Sequence, residues 1–341
     1  MSDNDSDISL DKNNKIILHE NNNNSDYSNH SLYIKDTPFD QRGIIEWWEL
    51  KHREFNIVNE KLIGFGSTGK VYKTYWRGIE CVVKMLNIKT NKITNDINNN
   101  DLINEISIIS RLRHPNLVLF LGACTLNEPI LLIYEYMENG NLELYYNNKN
   151  IYKKWKPDIK LLNKWLIQLT QAIYFLHNCY YPIIHRDIKP SNLLLDDSLN
   201  LKLTDFGLSK HLKSKNDNYN MSGITGTLRY MAPEIRNNCD NYDLKIDIYS
   251  LSLNFWFMCT GLKPFYEYDL ENPSMCLLII KENIRPNIKK MDWLNCNNFS
   301  NLIIKMWDQE PNNRPCIEEI LNFLEQNKFK KKSILNLFKI I

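Results

Sequence analysis

Apolar residues change their spacing part-way along this chain, and that change limits what the chain can fold into. Up to about residue 135 they fall in short runs bounded by turn residues: Phe55 to Ile63, Val71 to Trp76, Cys81 to Met85, Leu117 to Leu121 and Ile130 to Tyr134. Such runs predict strands. One helix interrupts them. Leu102 to Leu112 has apolar residues at 102, 103, 106, 108, 109 and 112, and His114-Pro115 stops it. Beyond Asn139-Gly140 the pattern turns helical, over Lys160 to His177, Lys245 to Cys259, Phe299 to Asp308 and Ile317 to Glu325. The reading is α+β and bilobal: a small antiparallel sheet with one helix, a short hinge near Glu135 to Gly140, and a larger helical lobe. A junction between two lobes is a natural cleft.

Bulk properties narrow the class. The chain has 341 residues, 43% of them hydrophobic and 24% charged, with a net charge of +2. These are ordinary values for a globular protein, and no strong field points to nucleic acid or an anionic membrane. Eight scattered cysteines include no Cys-x-x-Cys, which argues against a zinc ribbon or a redox motif. Reduced thiols fit a cytoplasmic or nuclear protein. Met1 to Leu10 lacks the pattern of a signal peptide, and Ser2 is not the glycine that myristoylation requires. Ile246 to Leu262 is apolar but contains Asp247, so a buried helix is expected and no transmembrane segment.

Composition also marks the margins. Residues 1–43 are rich in Asn, Asp and Ser, including Asn21 to Asn24, and are expected to be disordered. Asn87 to Asp101 is expected to be an expanded surface loop. Residues 328–341 carry a lysine cluster, then Ile334, Leu335, Leu337, Phe338 and Ile340. They read as a tail, packed or frayed, with a basic amphipathic helix as the alternative.

Three groups of residues carry chemistry. Gly64-Phe65-Gly66-Ser67-Thr68-Gly69-Lys70-Val71 has glycines that let backbone N–H groups approach phosphates. A dinucleotide-binding turn shares this spacing but opens a helix, whereas here an alternating strand follows. Lys84 lies in the apolar run Cys81-Val82-Val83-Lys84, where a lone ammonium is costly, and Glu105 is the partner expected from the next helix. His185-Arg186-Asp187-Ile188-Lys189-Pro190-Ser191-Asn192 precedes Asp205-Phe206-Gly207. Two carboxylates, an amide and a lysine from two nearby loops can hold magnesium, steady a triphosphate and accept a hydroxyl proton.

Together these motifs resemble eukaryotic protein kinases, over about Trp47 to Gln326. Between the compositionally marked segment 1–43 and the tail 328–341, the resemblance implies a kinase domain 44–327 with lobes 44–137 and 138–327. It implies that Ile63 to Val71 covers the phosphates of ATP and that Lys84 holds the α- and β-phosphates, with Glu105 steadying its ammonium. Tyr134-Glu135-Tyr136-Met137 would meet adenine through backbone groups near Glu135 and Met137, with Tyr134 limiting the back of the pocket. Asp187 would orient the substrate hydroxyl and accept its proton, and Lys189 would neutralise the γ-phosphate. Asn192 and Asp205 would ligate Mg²⁺, with Mn²⁺ as the alternative. Asp247 would hold the catalytic-loop backbone, and Arg314 would pair with Glu234.

The same resemblance bears on the acceptor. Lys189-Pro190-Ser191-Asn192 has the serine/threonine form, and Thr227 falls where it can bridge Asp187 and Lys189. However, His114-Pro115-Asn116-Leu117-Val118, Gly122-Ala123-Cys124, Trp76-Arg77-Gly78 and Trp47-Trp48-Glu49-Leu50 resemble the tyrosine-kinase-like group, which includes Raf and mixed-lineage kinases. Dual specificity stays open. The implied partners are protein substrates and, through Arg186, an upstream kinase or a second copy acting in trans on Ser222 or Thr225. A pseudokinase scaffold is the rival from another class, and intact Lys84, Asp187 and Asp205 argue against it.

Overall fold

The computed structural model describes residues 8–10, 16–18, 46–55, 61–66, 69–86, 106–150, 155–211, 228–236 and 243–327. The chain divides into two compact units, Met1–Trp47 and Trp48–Ile341. In the first, β1 (Ile8–Leu10) pairs antiparallel with β2 (Ile16–Leu18), a local pairing that its polar composition does not announce. Of the helix expected over 102–112, residues 102–105 lie outside the described residues, 106–109 are helical and 110–112 are not.

The second unit begins with a five-stranded antiparallel sheet in the order β3-β4-β5-β7-β6. The strands are β3 (Lys61–Gly66), β4 (Gly69–Trp76), β5 (Ile79–Leu86), β6 (Phe120–Cys124) and β7 (Leu131–Glu135). Alternation sorts their residues. Cys81 and Val83 point to one face and pack with Phe55, Cys124, Leu131 and Ile133 in an apolar core. On the other face the register pairs Val71 with Lys84 and Lys73 with Val82, and then Val82 with Tyr134 and Lys84 with Leu132. Of the strand expected over Phe55 to Ile63, residues 56–60 lie outside the described residues; β3 is described from Lys61, and a 3₁₀ turn occupies His52–Glu54. The strand expected over 117–121 lies three residues later, and Leu117 makes a single bridge to Leu203.

Strand β6 would be a bare sheet edge, which proteins normally cover. Residues 48–50 cover it. Glu49 bridges Ala123 in parallel; the Leu50 N–H donates to Ala123 O at 2.7 Å and the Ala123 N–H to Trp48 O at 2.8 Å. The Glu49 carboxylate accepts from the Thr125 N–H at 2.9 Å and the Thr125 hydroxyl at 2.6 Å. Gly122 makes this approach feasible, since a Cβ there would stand 2.6 Å from Leu50 Cδ1 and 2.7 Å from Trp48 O. Farther along the strap, Glu54 accepts from the Trp76 indole at 3.0 Å and from the Arg77 guanidinium.

The helical part is built around α2 (Ile159–His177), whose N-cap Asp158 accepts from the Leu161 N–H at 2.8 Å. Leu162, Trp165, Leu166, Leu169, Ile173 and Leu176 form its buried stripe. The helix α4 (Lys245–Thr260) is buried from Ile246 through Cys259 and is the central post. Shorter helices complete the unit: α1 (Leu142–Asn150), α3 (Pro233–Arg236), α5 (Pro273–Lys281), α6 (Asn297–Met306) and α7 (Ile317–Gln326). Among the described residues no helix is long and apolar enough to cross a membrane.

Candidate active site

A short hairpin brings the two acidic loops together. Strand β8 (Ile183–Ile184) runs into residues 185–189, which have no regular secondary structure. A 3₁₀ turn at Pro190–Asn192 follows, and then β9 (Leu193–Leu195) pairs with β10 (Leu201–Leu203). Pairing Leu193 with Leu203 places Asn192 beside Thr204, whose N–H donates to Asn192 O at 3.0 Å. Asn192 and Asp205 therefore flank the open end of one hairpin.

Buried polar groups set the shape of the 185–189 loop. Asp247, on the first turn of α4, is fully buried and accepts the His185 and Arg186 N–H groups, each at 2.9 Å, and a 3.0 Å contact from His177 Nε2. Burial pushes its carboxyl up, but the hydrogen bonds from His177 and the His185 backbone outweigh this and hold it below the ordinary value. Arg186 is left-handed, at φ 69°. The buried His185 ring touches Thr204 O at 3.2 Å and Phe206 edge-on at 5.0 Å, and Asn254 Nδ2 donates to Ile188 O at 2.9 Å. Desolvation holds His185 below its ordinary pKa, against the pull of three nearby carboxylates.

On this frame Asp187 is buried, with Oδ2 2.7 Å from Lys189 Nζ and 2.9 Å from Asn192 Nδ2. Asn192 Nδ2 also donates to Asp187 O at 2.9 Å. An amide that donates on one side has its oxygen left to offer elsewhere. Lys84, from the sheet face shared with Val71, reaches Asp205 Oδ1 at 3.3 Å. Burial pushes the Asp205 carboxyl up, but Lys84, His185 and Lys189 outweigh it and keep it ionised below the ordinary range. Asp205 is also left-handed, at φ 68°. Sequence reasoning pairs Lys84 with Glu105, which lies outside the described residues; among the described residues Lys84 pairs with Asp205, 121 positions away. Thr227, Ser67, Thr68, Ser222 and Thr225 also lie outside the described residues.

The remaining sequence-derived positions divide between two places. Ile63, Gly64, Phe65, Gly66, Gly69, Lys70 and Val71 form the β3–β4 hairpin, with Phe65 exposed at its tip. A Cβ on Gly69 would collide with Met85 O on β5. Glu135 ends β7 with its side chain engaged: Oε2 meets Lys202 Nζ at 2.6 Å and Oε1 accepts the Leu119 N–H at 2.6 Å. Met137 is buried, and Tyr134 stacks edge-on with Phe120 at 5.7 Å.

Asp205 and Asn192 supply hard oxygens, one carboxylate and one amide, which suits a divalent cation that keeps several waters. Of two contacts at the far end of the site, that of Arg314 with Glu234 is expected from the sequence and that of Ser250 with Tyr230 is not. Arg314, buried, grips Glu234 bidentately at 2.7 and 2.8 Å, and the Ser250 hydroxyl donates to Tyr230 O at 2.8 Å. Ser252 hydrogen-bonds back to Tyr249 O at 2.6 Å inside α4. The Lys202–Glu135 bridge was not legible in advance, because its partners come from separate strands.

Comparison with known proteins agrees with this geometry. A family model described as the protein kinase domain matches residues 57–324. The serine/threonine-protein kinase VIK of Arabidopsis thaliana is 36% identical over 82% of this chain and 62% of its own length. A probable serine/threonine-protein kinase of Dictyostelium discoideum is 35% identical over 86% of this chain and 30% of its own length. The dual specificity protein kinase shkB of the same organism is 31% identical over 82% of this chain and 41% of its own length. The chain thus spans less than two thirds of the length of each of these relatives, and it belongs to the protein kinase family.

Proposed function

We propose that this chain transfers the γ-phosphoryl group of ATP to serine and threonine hydroxyls of protein substrates. The observation that carries this reading is the Asp187 carboxylate, locked by Lys189 at 2.7 Å and Asn192 at 2.9 Å on a loop hung from Asp247. A carboxylate so held is oriented before substrate arrives and can take the hydroxyl proton as the bond to phosphorus forms. Lys189 stands beside it to offset charge on the transferred group. Lys84 would hold the α- and β-phosphates, released in part from Asp205. The Glu135 carbonyl and the Met137 N–H would meet the base, since the Glu135 side chain and N–H are already used. Asp205 and Asn192 would hold Mg²⁺, which neutralises the phosphates when bound.

The serine/threonine reading rests on Lys189 and on the two serine/threonine kinases among the relatives, and the similarity to shkB favours dual specificity as the second reading. The tyrosine-kinase-like motifs and the scattered thiols support a signalling role in the cytoplasm or nucleus. Phosphorylation of Ser222 or Thr225 by an upstream kinase or a second copy would switch the site on.

The test is transfer of labelled phosphate from ATP to a generic basic protein by wild type and Asp187→Ala, followed by phosphoamino-acid analysis. Loss of a general base predicts a drop in kcat of about 10²–10⁴-fold. Equal incorporation by both proteins sinks the enzymatic reading. Label on tyrosine as well as serine and threonine selects dual specificity.

A further inference from the structure

The sheet face that carries Lys84 holds a second polar chain which the transfer chemistry does not use. Cross-strand pairing puts Lys73 opposite Val82 and Tyr75 opposite Glu80, on the same face as Lys84. Lys73 Nζ lies 2.7 Å from Glu80 Oε1, and the Tyr75 hydroxyl donates to that oxygen at 2.9 Å. The ammonium also sits over the Tyr136 ring, 3.9 Å from its centroid. The Lys73 side chain is 24% exposed, so most of it is laid along the protein. The Glu80 hydrogen bond holds Lys73 above its ordinary pKa, against partial desolvation, so it carries its charge at any working pH.

Tyr136 lies between Glu135 and Met137, in the segment that leaves β7. Glu135 is pinned from the other side by Lys202 and the Leu119 N–H, each at 2.6 Å. The segment is therefore clasped twice: at 135 toward β10, and at 136 toward β4 and β5. Recognition of a flat base by backbone groups alone needs those groups held in place, because no side chain can correct their position. We infer that the chain Tyr75–Glu80–Lys73–Tyr136 is a positioning device that fixes residues 135–137 against the sheet and so sets affinity for the nucleotide base. Lys73 and Tyr136 are its working pair; the inference rests on the reading that residues 135–137 meet adenine.

The pair makes separable demands. The contact needs a cation and an aromatic face, so arginine can replace lysine and phenylalanine can replace tyrosine. Lys73→Met, Lys73→Arg, Tyr136→Leu, Tyr136→Phe and the double variant Lys73→Met/Tyr136→Leu are made in the full chain. Each is measured for ATP KM and kcat with a fixed basic protein substrate, for ATP binding by calorimetry, and for thermal melting. Lys73→Met and Tyr136→Leu are expected to raise KM and Kd for ATP about three- to tenfold with kcat within about twofold. Lys73→Arg and Tyr136→Phe should stay near wild type, and the double variant should be no worse than the weaker single. Should Lys73→Met not fold, Tyr136→Leu carries the same test.

Unchanged ATP affinity in Lys73→Met or Tyr136→Leu, or full additivity in the double variant, overturns the device. A merely structural role would lower the melting temperature and leave the split between KM and kcat untouched, which also overturns it. Wild-type protein that binds no ATP overturns the adenine reading on which the inference rests.

Discussion

At the scale of single residues, the site depends on groups whose burial fixes their ionisation. His185 is fully buried and held below its ordinary value of 6.5. On unfolding it can take up a proton near 6.5, whereas the folded ring resists until lower pH. Acid therefore favours the unfolded chain, and stability falls as pH drops below about 6.5. His114, stacked on Phe175 at 5.0 Å and also lowered by desolvation, has the same sign. Asp205 and Asp247 continue the trend at lower pH. Their folded carboxyls lie below the ordinary 3.8, so the stability they add is present above that value and is lost as pH falls through the lower folded one. Melting temperature is expected to decline between pH 7 and 5.5 in wild type and to decline less in His185→Tyr. Asp247→Ala should be worse than either at every pH, since it leaves two buried N–H groups without acceptors at about 1–3 kcal/mol each; a melt within a degree of wild type would contradict that account.

At the scale of elements, the strap over β6 offers a direct check on what covers the sheet edge. Gly122→Ala forces a methyl group against Leu50 and the Trp48 carbonyl, and overpacking of this kind costs about 1–3 kcal/mol. Glu49→Ala removes the acceptor for the Thr125 hydroxyl and N–H and should cost a similar amount. Denaturant unfolding should show the two effects as less than additive, because each frees the same strap. The strap also marks where sequence reading stopped. Trp47-Trp48-Glu49-Leu50 carries a family likeness, yet the strap's partner is some 75 residues away, and no local pattern encodes that pairing. The same limit hid the Lys84 to Asp205 contact and the Glu135 to Lys202 bridge. In contrast, α2, α4 and α7 were legible to within a residue or two at each end, because each buries a long apolar face. α1 was not: Leu-Glu-Leu-Tyr-Tyr-Asn-Asn-Lys-Asn is short, rich in asparagine and buries Leu142 and Tyr146 alone. α5 was missed for a related reason, a short helix with Leu277 and Leu278 turned to solvent. The acidic loops were legible without any periodicity, since their residue types state their chemistry.

At the scale of the whole molecule, distant parts are joined through a few buried charges. Arg314 draws together the turn before α7, the start of α4 through Lys245 O at 3.0 Å, and Glu234 in α3. Breaking such a pair strands a buried charge, so Arg314→Met should destabilise by about 3–5 kcal/mol, and Arg314→Lys should recover part of the loss without the bidentate grip. Because Glu234 lies just beyond the 212–227 stretch, substrate KM should rise in Arg314→Lys while ATP KM stays near wild type. Steady-state kinetics with both substrates varied checks this, and equal changes in the two constants would contradict it.

The carboxylate of Asp247 has one more consequence, which concerns time. Residues 185–189 form neither helix nor strand, yet the N–H groups of His185 and Arg186 are bonded to a side chain rooted in the central post. Their exchange with deuterated water should be as slow as that of α4 itself, opening only when the molecule unfolds as a whole. The loop that would perform the chemistry should be among the last places in the protein where the solvent leaves its isotope.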